Sequence, residues 1–311
     1  MTVFPWLFLA LACKDKDTTD DTGATDDTGA EVDDTAAETG TPEPTQEELM
    51  AKWINVTDPS VGDLTCYDGS TWNTETPDAG CQMDAEVSEG AVVEFAFETA
   101  VPSATANFYY SDMVGGTPDV TFTTDEDGLF TGSVQTCTPL TYETTAGADF
   151  HPTYEFHEVY DYESPQSLDL ISVSNDTWLT LPSLFGVVID DGAAVVAGSV
   201  EDCNNDVVEN AQVILKNSDG FIPWEMAIGY TFNGLPSRVY TATTGDGIWM
   251  AMNVPPGDYT AELYVSDGAG GQMLIGKAPV TAFADSVSVV VMNTGVEDGV
   301  DMPSSCDCSG G

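Results

Sequence analysis

Short runs of Val, Phe, Tyr and Thr, separated by Gly, Pro, Asp and Asn, make up the chain after Met50. Turn residues recur about every 8–12 positions, which is typical of the strands of β-sandwiches. These runs predict strands at Ala91–Phe97, Thr105–Tyr110, Val120–Thr124, Leu129–Val134, Val195–Val200, Gln212–Leu215, Arg238–Thr243, Tyr259–Val265 and Ser286–Met292. Helices are predicted only at Gln46–Asn55 and Trp178–Phe185. The pattern therefore predicts an all-β protein.

An internal repeat divides this region into two parts. The sequence of Pro102–Asp112 is similar to that of Glu209–Asp219, and the sequence of Thr123–Phe130 is similar to that of Thr243–Trp249. In each case a strand, a turn containing Pro and a strand with Tyr follow. A repeat of this kind indicates two copies of one structural unit. We predict a diverged β-sandwich module over residues 49–192 and a second module over residues 193–295, followed by a tail with cysteines at 296–311.

Four motifs lie in order in the second copy: Gly198-Ser199-Val200, Asn210-Ala211-Gln212-Val213, Thr243-Thr244-Gly245-Asp246-Gly247-Ile248-Trp249 and Pro255-Pro256-Gly257-Asp258-Tyr259. Together they resemble the carboxypeptidase regulatory-like domain, a transthyretin-like (prealbumin-like) β-sandwich. The resemblance implies tandem Ig/transthyretin-like sandwiches and an accessory or adhesive role without an active site. Trp249 stands where the family usually has Phe, so a large aromatic side chain is expected in the core.

The first residues have the features of a targeting signal. Val3–Ala12 is apolar, but its ten residues are too few to span a bilayer, which requires about 20. Leu9–Cys13 resembles the lipobox of bacterial lipoproteins, with Ala10 where Leu is usual and without a basic residue in Met1-Thr2. The resemblance implies a signal peptide over residues 1–12, lipidation of Cys13, and an outer-membrane anchor facing the surface or the periplasm. The alternative is an ordinary cleaved signal that leaves Cys13 as a free thiol.

Residues 13–48 form an acidic segment that we call the tether. It consists mainly of Asp, Thr, Glu, Gly and Ala without apolar periodicity. Such a composition buries too little surface to offset chain entropy, which predicts a disordered, solvated spacer. A calcium-binding acidic tract is the alternative.

Net charge excludes one class of partner. The chain has 53 Asp and Glu against 6 Lys and Arg, a formal net charge of −47. Binding to nucleic acid requires clustered Lys and Arg, so it is excluded. Hydrophobic residues still make up 42% of the chain, enough for packed cores. The cationic residues after the tether are Lys52, Lys216, Arg238 and Lys277.

Six cysteines remain besides Cys13, and an even number in an exported chain predicts three disulfides. They are Cys66, Cys81, Cys137, Cys203, Cys306 and Cys308. Cys66 and Cys81 flank one loop and are the easiest pair to close. Cys306 and Cys308 are too close in sequence to bond each other, so we expect them to reach back to Cys137 and Cys203. A zinc site at Cys306 and Cys308 is the competing interpretation.

Candidate chemistry is sparse. If one strand extends through Pro152, then His151, Thr153, Glu155 and His157 share a face, which is a conceivable metal site. The alternative is a solvated sheet face. Asp202, Asn204 and Asp206 have the spacing of a calcium loop, but Val207 and Val213 replace the Gly and Glu of an EF-hand. Further candidate calcium ligands are Asp125, Asp127, Asp190 and Asp191.

The sequence contains no nucleophile and base pattern of a known hydrolase. We therefore expect a non-enzymatic surface lipoprotein that presents β-sandwich modules for binding or envelope structure, with no cofactor other than possible Ca²⁺. The alternative is an accessory module of an exported hydrolase system that binds an extracellular glycan, peptide or protein. Candidate stacking residues for a glycan are Trp53, Trp72 and Trp224.

Overall fold

The computed structural model describes residues 42–73, 80–110, 114–161 and 166–306. The expected signal peptide, Cys13, most of the tether and Cys308 lie outside these residues. The strands are β1 Asp84–Glu94, β2 Thr105–Tyr110, β3 Val120–Thr123, β4 Leu129–Gln135, β5 Leu140–Thr145, β6 Phe150–His151, β7 Thr153–Glu158, β8 Gln166–Ser174, β9 Ala194–Glu201, β10 Ala211–Asn217, β11 Ala227–Phe232, β12 Leu235–Ser237, β13 Ile248–Val254, β14 Gly257–Ser266, β15 Gln272–Ala282, β16 Val287–Val290 and β17 Met292–Asn293. The helices are α1 Gln46–Trp53 and α2 Asn175–Phe185. The predicted all-β class is confirmed.

One predicted strand is wrong. Residues 238–243 do not join a sheet, because their polar groups bind other neighbours. The Arg238 guanidinium donates to the carbonyl oxygens of Leu184 and Ser183 at 2.9 and 3.2 Å, in the last turn of α2. The Thr243 hydroxyl donates to the carbonyl of Val208 at 2.7 Å. Strand β12, which pairs with β11, accordingly ends at Ser237.

The same strand pairing occurs twice along the chain. In the first half β1 pairs antiparallel with β4 and parallel with β8, while β5 pairs antiparallel with β2 and β7. In the second half β9 pairs antiparallel with β13 and parallel with β16, while β14 pairs antiparallel with β10 and β15. Each half is a β-sandwich with its own core. The domain boundaries themselves stay a prediction from the sequence.

Two cores fill the sandwiches. Phe108 and Tyr142 are the largest buried side chains of the first core. Trp249 is fully buried in the second core, as expected for the aromatic position of the motif. Gly198 is required beside it, because a Cβ at residue 198 would lie 1.8 Å from the carbonyl oxygen of Val290. This close approach lets β9 and β16 run side by side in parallel.

One sheet passes through both halves. Strand β16 pairs parallel with β7 of the first half and with β9 of the second, so that Val287 lies opposite both Thr153 and Val195. The strand order is β12-β11-β13-β9-β16-β7-β5-β2-β3, and β17 extends the pairing of β9. Backbone hydrogen bonds therefore join the halves.

The segment 46–73 packs on the second half, although the sequence assigned most of it to the first. Thr45 caps α1 with a capping box, and Leu49 of this helix is buried in the second core. The Gln46 side chain exchanges two hydrogen bonds with the backbone of Ile222, at 3.0 and 2.7 Å. The helix prediction is confirmed within two residues at its end. Helix α1 therefore attaches this segment to the second half, before the strands of the first sandwich begin.

Further contacts continue along this segment. The backbone N–H groups of Asn55 and Val56 donate to the Gln212 side-chain carbonyl at 2.7 and 2.9 Å. Val61 then forms a bridge with Glu209. We call residues 46–73 the N-terminal strap. Its hydrogen bonds reach partners about 150 residues away, which no local pattern in the sequence indicates.

Candidate functional site

A groove lies between the two halves, and strand β9 forms its floor. Val196 and Val200 point into the second core. Val195, Ala197, Ser199 and Glu201 alternate with them and line the groove. This alternation follows from the two faces of a strand. The outer face of the second sandwich is therefore apolar for most of its length and ends in a carboxylate.

The neighbouring strands extend the same face. The groove has a volume of about 700 Å³. Its floor also includes Ile248 and Met250 of β13 and Val287 and Val289 of β16. The opposite wall is formed by Phe95, Ile171, Val173, Trp178, Leu181 and Pro182. The groove thus has an apolar body enclosed by α2 and the first half.

Helix α2 is held in place by a buried carboxylate. Ser174 is its N-cap, and Gly186 ends it in the left-handed conformation at φ 78°. One Glu94 oxygen accepts hydrogen bonds from the hydroxyl groups of Ser174 and Thr177 at 2.8 and 2.5 Å. The other accepts from the backbone N–H groups of residues 96 and 97, both at 2.8 Å. Glu94 therefore ties the first turn of α2 to the end of β1.

Carboxylates gather at one end of the groove because of a bulge in β7. Leu140 pairs with Glu158, but Tyr142 pairs with Glu155, so the one residue between them on β5 lies opposite two on β7. His157 takes up the extra position at φ 66°. The bulge turns Glu158 to the same side as Glu155, where both line the groove. Glu201 and Asp206 line the same end.

Glu155 and Glu158 share one proton. The buried Tyr142 hydroxyl donates a hydrogen bond to the Glu155 carboxylate. Desolvation raises the pKa of Glu155, and hydrogen bonds from Tyr142 and Glu158 oppose this change. Desolvation raises the pKa of Glu158 well above its ordinary value, and the charge of Glu155 and its hydrogen bond raise it further. Glu158 is therefore the protonated partner, and it donates to Glu155.

Two more groups interact electrostatically with this pair of glutamates. Burial raises the pKa of Glu201, and the carboxylates of Asp301 and Asp202 add to the effect. The Tyr160 hydroxyl is buried and has no hydrogen-bond partner among the described residues. Burial raises its pKa well above the ordinary value, and the charges of Glu158 and Glu155 raise it further. The end of the groove thus carries an excess of negative charge in a desolvated setting.

The cationic side chains of the described residues interact elsewhere. Lys216 and Lys277 form ion pairs with Glu262 and Glu297, at 2.7 and 3.0 Å. Arg238 binds backbone carbonyls next to α2. Lys52 lies over the ring of Trp53 at 4.1 Å. Within the part of the chain that the structure describes, none of these cations neutralises Glu155, Glu158 or Glu201.

The shared proton predicts a pH dependence of stability. The ordinary pKa of Glu158 is 4.5, and its folded value is higher, so above pH 4.5 the native state retains a proton that the unfolded chain releases. The free energy of unfolding should therefore fall as the pH rises through the folded pKa. Urea unfolding of the wild type and of Glu158→Gln from pH 5 to 8 measures this. The variant should lose this dependence on pH.

Glu126→Gln is the matched control, because it makes the same replacement at an exposed side chain. It should keep the dependence of the wild type on pH. Parallel curves for the wild type and Glu158→Gln would contradict a protonated Glu158.

The predicted histidine face is wrong. Pro152 separates β6 from β7, and the bulge turns His157 away from Glu155. His151 stacks on Trp178 with ring centroids 4.1 Å apart, and its Nδ1 lies 2.8 Å from the carbonyl oxygen of Asp285. The Nε2 atom of His157 lies 2.5 Å from the carbonyl oxygen of Pro279. The two imidazoles therefore contact different partners and do not form one site.

The calcium candidates lie in turns whose carboxylates accept backbone hydrogen bonds. Asp202 Oδ1 accepts from the N–H groups of Asn204 and Asp206 at 2.8 and 3.0 Å. Asp125 Oδ1 accepts from Asp127 and Leu129, both at 2.9 Å. Among the residues that the structure describes, no group of three or more His, Cys, Asp or Glu could hold a metal ion. Calcium binding stays a prediction from the sequence.

The disulfides connect distant segments. Cys66 bonds Cys203 and Cys137 bonds Cys306, with Cα atoms 5.6 and 5.3 Å apart. Cys81 is also disulfide-bonded. The expected link from the tail to Cys137 is confirmed for Cys306. The expected Cys66–Cys81 pair is wrong, because the N-terminal strap carries Cys66 to the second half. Cys203 is accordingly bonded to the strap and not to the tail.

The three candidate stacking residues differ in exposure. Trp224 is 49% exposed. Trp72 lies between Tyr67, at 4.8 Å between ring centroids, and the Lys277 ammonium, at 4.9 Å. The indole N–H of Trp53 is buried. The structure thus leaves a broad exposed ring only at Trp224 among these three, and it does not bring the three together in the groove.

The sequence analysis missed Glu158 and Glu201 of the groove. Glu201 continues the alternation Val195, Ala197, Ser199, so this pattern could have indicated its side. Glu158 could not be found in this way, because the bulge at His157 breaks the alternation.

No family model matches the chain, and no curated protein matches it. Among solved structures it is similar to the Bacillus anthracis TIE protein, with 15% identity over 68% of this chain and a TM-score of 0.21. The chain spans about a third of that protein, 34% of its length. It is also similar to the shaft pilin SpaA of Lactobacillus rhamnosus GG, with 13% identity, coverage of 68% and 98% and a TM-score of 0.22. The minor pilin GBS52 of Streptococcus agalactiae is similar with 13% identity over 69% of this chain and 97% of that protein, and with a TM-score of 0.22. Values this low assign neither family nor function.

None of the helices described here is both long and apolar enough to cross a bilayer.

Proposed function

We propose that this protein is a non-enzymatic surface lipoprotein, anchored through Cys13 to an outer membrane, that presents a rigid pair of β-sandwiches for binding or envelope structure. The observation that carries the proposal is the exchange of segments between the halves. The N-terminal strap is bonded to the second half through Cys66–Cys203, and the tail returns to the first half through Cys137–Cys306.

This arrangement suits a protein that works outside the cell. Disulfides persist in oxidising compartments, which agrees with an exported chain. The shared sheet and the two crossing bonds oppose relative motion of the halves, since separation would break backbone pairing at β16 as well. A rigid unit on an acidic tether is adapted to display a surface and is not adapted to hinge around a substrate.

Metabolic labelling with a palmitate analogue tests the anchor. The wild type should be labelled and recovered with outer membranes, whereas Cys13→Ser should lose the label, because only the thiol accepts the lipid. Thr18→Ser is the control, since it alters the tether and keeps Cys13. Equal labelling of the wild type and Cys13→Ser would overturn the proposed anchor.

The groove favours a second candidate function, an accessory module that binds an extracellular glycan, peptide or other ligand for an exported hydrolase system. Its volume of about 700 Å³ lies in the range of small-ligand sites. The apolar body with a few polar groups at one end is also typical of such sites.

A further inference from the structure

We propose that the groove between the halves binds a small amphipathic organic cation, with its ammonium group at the Glu155, Glu158 and Glu201 end and its hydrocarbon body along β9 and β16. This inference goes beyond the proposed function. It does not depend on the anchor at Cys13.

The apolar body calls for a hydrocarbon group. The outer face of a β-sandwich is ordinarily polar where water reaches it. Here the lining contains Val195, Ala197, Val287 and Val289, with Trp178 of α2. Val195, Val287 and Trp178 are buried in one cluster, whereas Ala197 and Val289 are partly exposed. Part of this surface packs as a third apolar cluster, and the remaining space is the groove. Filling it with a hydrocarbon chain would remove apolar surface from water, worth about 0.8 kcal/mol for each methylene.

The polar end calls for positive charge. Glu155 and Glu158 hold one proton between them, and Glu201 lies at the same end of the groove. Desolvated carboxylates without a counter-ion are unfavourable, and a cation that donates hydrogen bonds relieves this cost. An ammonium group carries three N–H donors, and carboxylate oxygens of residues that line the groove can accept them. The unpartnered Tyr160 hydroxyl lies in the electrostatic field of the same pair.

Other ligand classes fit less well. A bare divalent cation requires a shell of oxygen ligands. Within the described residues no group of acidic or other ligating side chains could hold a metal ion, and the apolar walls offer no oxygen atoms. An anion would meet repulsion from Glu155 and Glu201. A sugar requires polar partners on most of its hydroxyl groups, and apolar side chains outnumber polar ones in the lining, so a sugar would fit less well than a hydrocarbon chain.

Calorimetric titration of the disulfide-bonded protein with n-octylammonium, below its micellar concentration, tests the inference. We expect one site, with affinity at least tenfold higher than for n-octanol and for methylammonium. Octanol keeps the hydrocarbon and lacks the charge, while methylammonium keeps the charge and lacks the hydrocarbon. Octanoate should not bind measurably. Equal affinity for octylammonium and octanol would overturn the role of the carboxylates.

Two variants locate the site. Glu201→Gln and Glu155→Gln keep the shape of the side chain, remove a carboxylate from this end of the groove and should weaken octylammonium binding at least tenfold. Glu126→Gln removes the same charge from an exposed turn and should leave the affinity within twofold of the wild type. Equal weakening by all three would show attraction by the net charge alone and would reject the site. The comparison of ligands on the wild type decides the question even if a variant folds poorly. Failure of octylammonium to bind leaves the anchor proposal intact.

Discussion

Removal of the Cys66–Cys203 disulfide should lower the free energy of unfolding by about 4 kcal/mol, because the bond closes a loop between residues 137 positions apart. The entropy that a cross-link removes from the unfolded chain grows with the logarithm of loop length. The bond also holds the N-terminal strap on the second half. Without it the strap would depend on hydrogen bonds to Gln212 and Glu209 and on the burial of Leu49.

Urea unfolding of the double variant Cys66→Ser/Cys203→Ser measures this effect without leaving a free thiol. Thr65→Ser is the control, since Thr65 is exposed beside Cys66 and its hydrogen bond to Asp63 can be made by Ser. We expect a lower urea midpoint for the double variant only. Limited proteolysis should also cut its strap first. An unchanged midpoint would contradict the pairing of Cys66 with Cys203.

Replacement of Trp249 by Ala should cost about 3–5 kcal/mol, the range for removal of a large aromatic side chain from a core. Trp249 is fully buried in the second sandwich, and β9 packs against it at Gly198. Its indole N–H is buried and lacks a hydrogen-bond partner among the described residues. Trp249→Phe therefore loses volume but no hydrogen bond, and it removes an unsatisfied donor. We expect it to cost less than half as much.

Thermal and urea unfolding of both variants, with the wild type as reference, checks the order. Equal destabilisation by Phe and Ala would show that the indole N–H contributes to stability through a contact that this structure does not contain.

Local patterns were enough for the elements but not for their arrangement. Alternation of apolar and polar residues predicted β2 at its observed bounds, and this pattern depends on neighbours within a few positions. The buried aromatic at Trp249 was implied by the family resemblance and not by a local pattern. The strand predicted at residues 238–243 is wrong because Arg238 binds the end of α2, a contact across about 55 residues.

The candidate site was harder to predict, because it is formed by surfaces from both halves. The alternation in β9 predicts two faces, but a sequence does not tell that the outer face is covered by α2. No glycine in the sequence indicates the bulge at His157. This bulge determines whether His157 or Glu158 faces the groove. Six cysteines permit 15 pairings, and spacing alone favours the nearest. The strap overrides spacing by carrying Cys66 to Cys203.

The order in which the cysteines leave the secretion channel differs from the order in which they bond. Cys66 and Cys81 emerge first, whereas Cys203, the partner of Cys66, follows after more than a hundred further residues. During this interval Cys66 and Cys81 are the nearest available thiols, so we expect them to form a non-native bond that must later exchange. Maturation of this protein should therefore require a disulfide isomerase in addition to an oxidase.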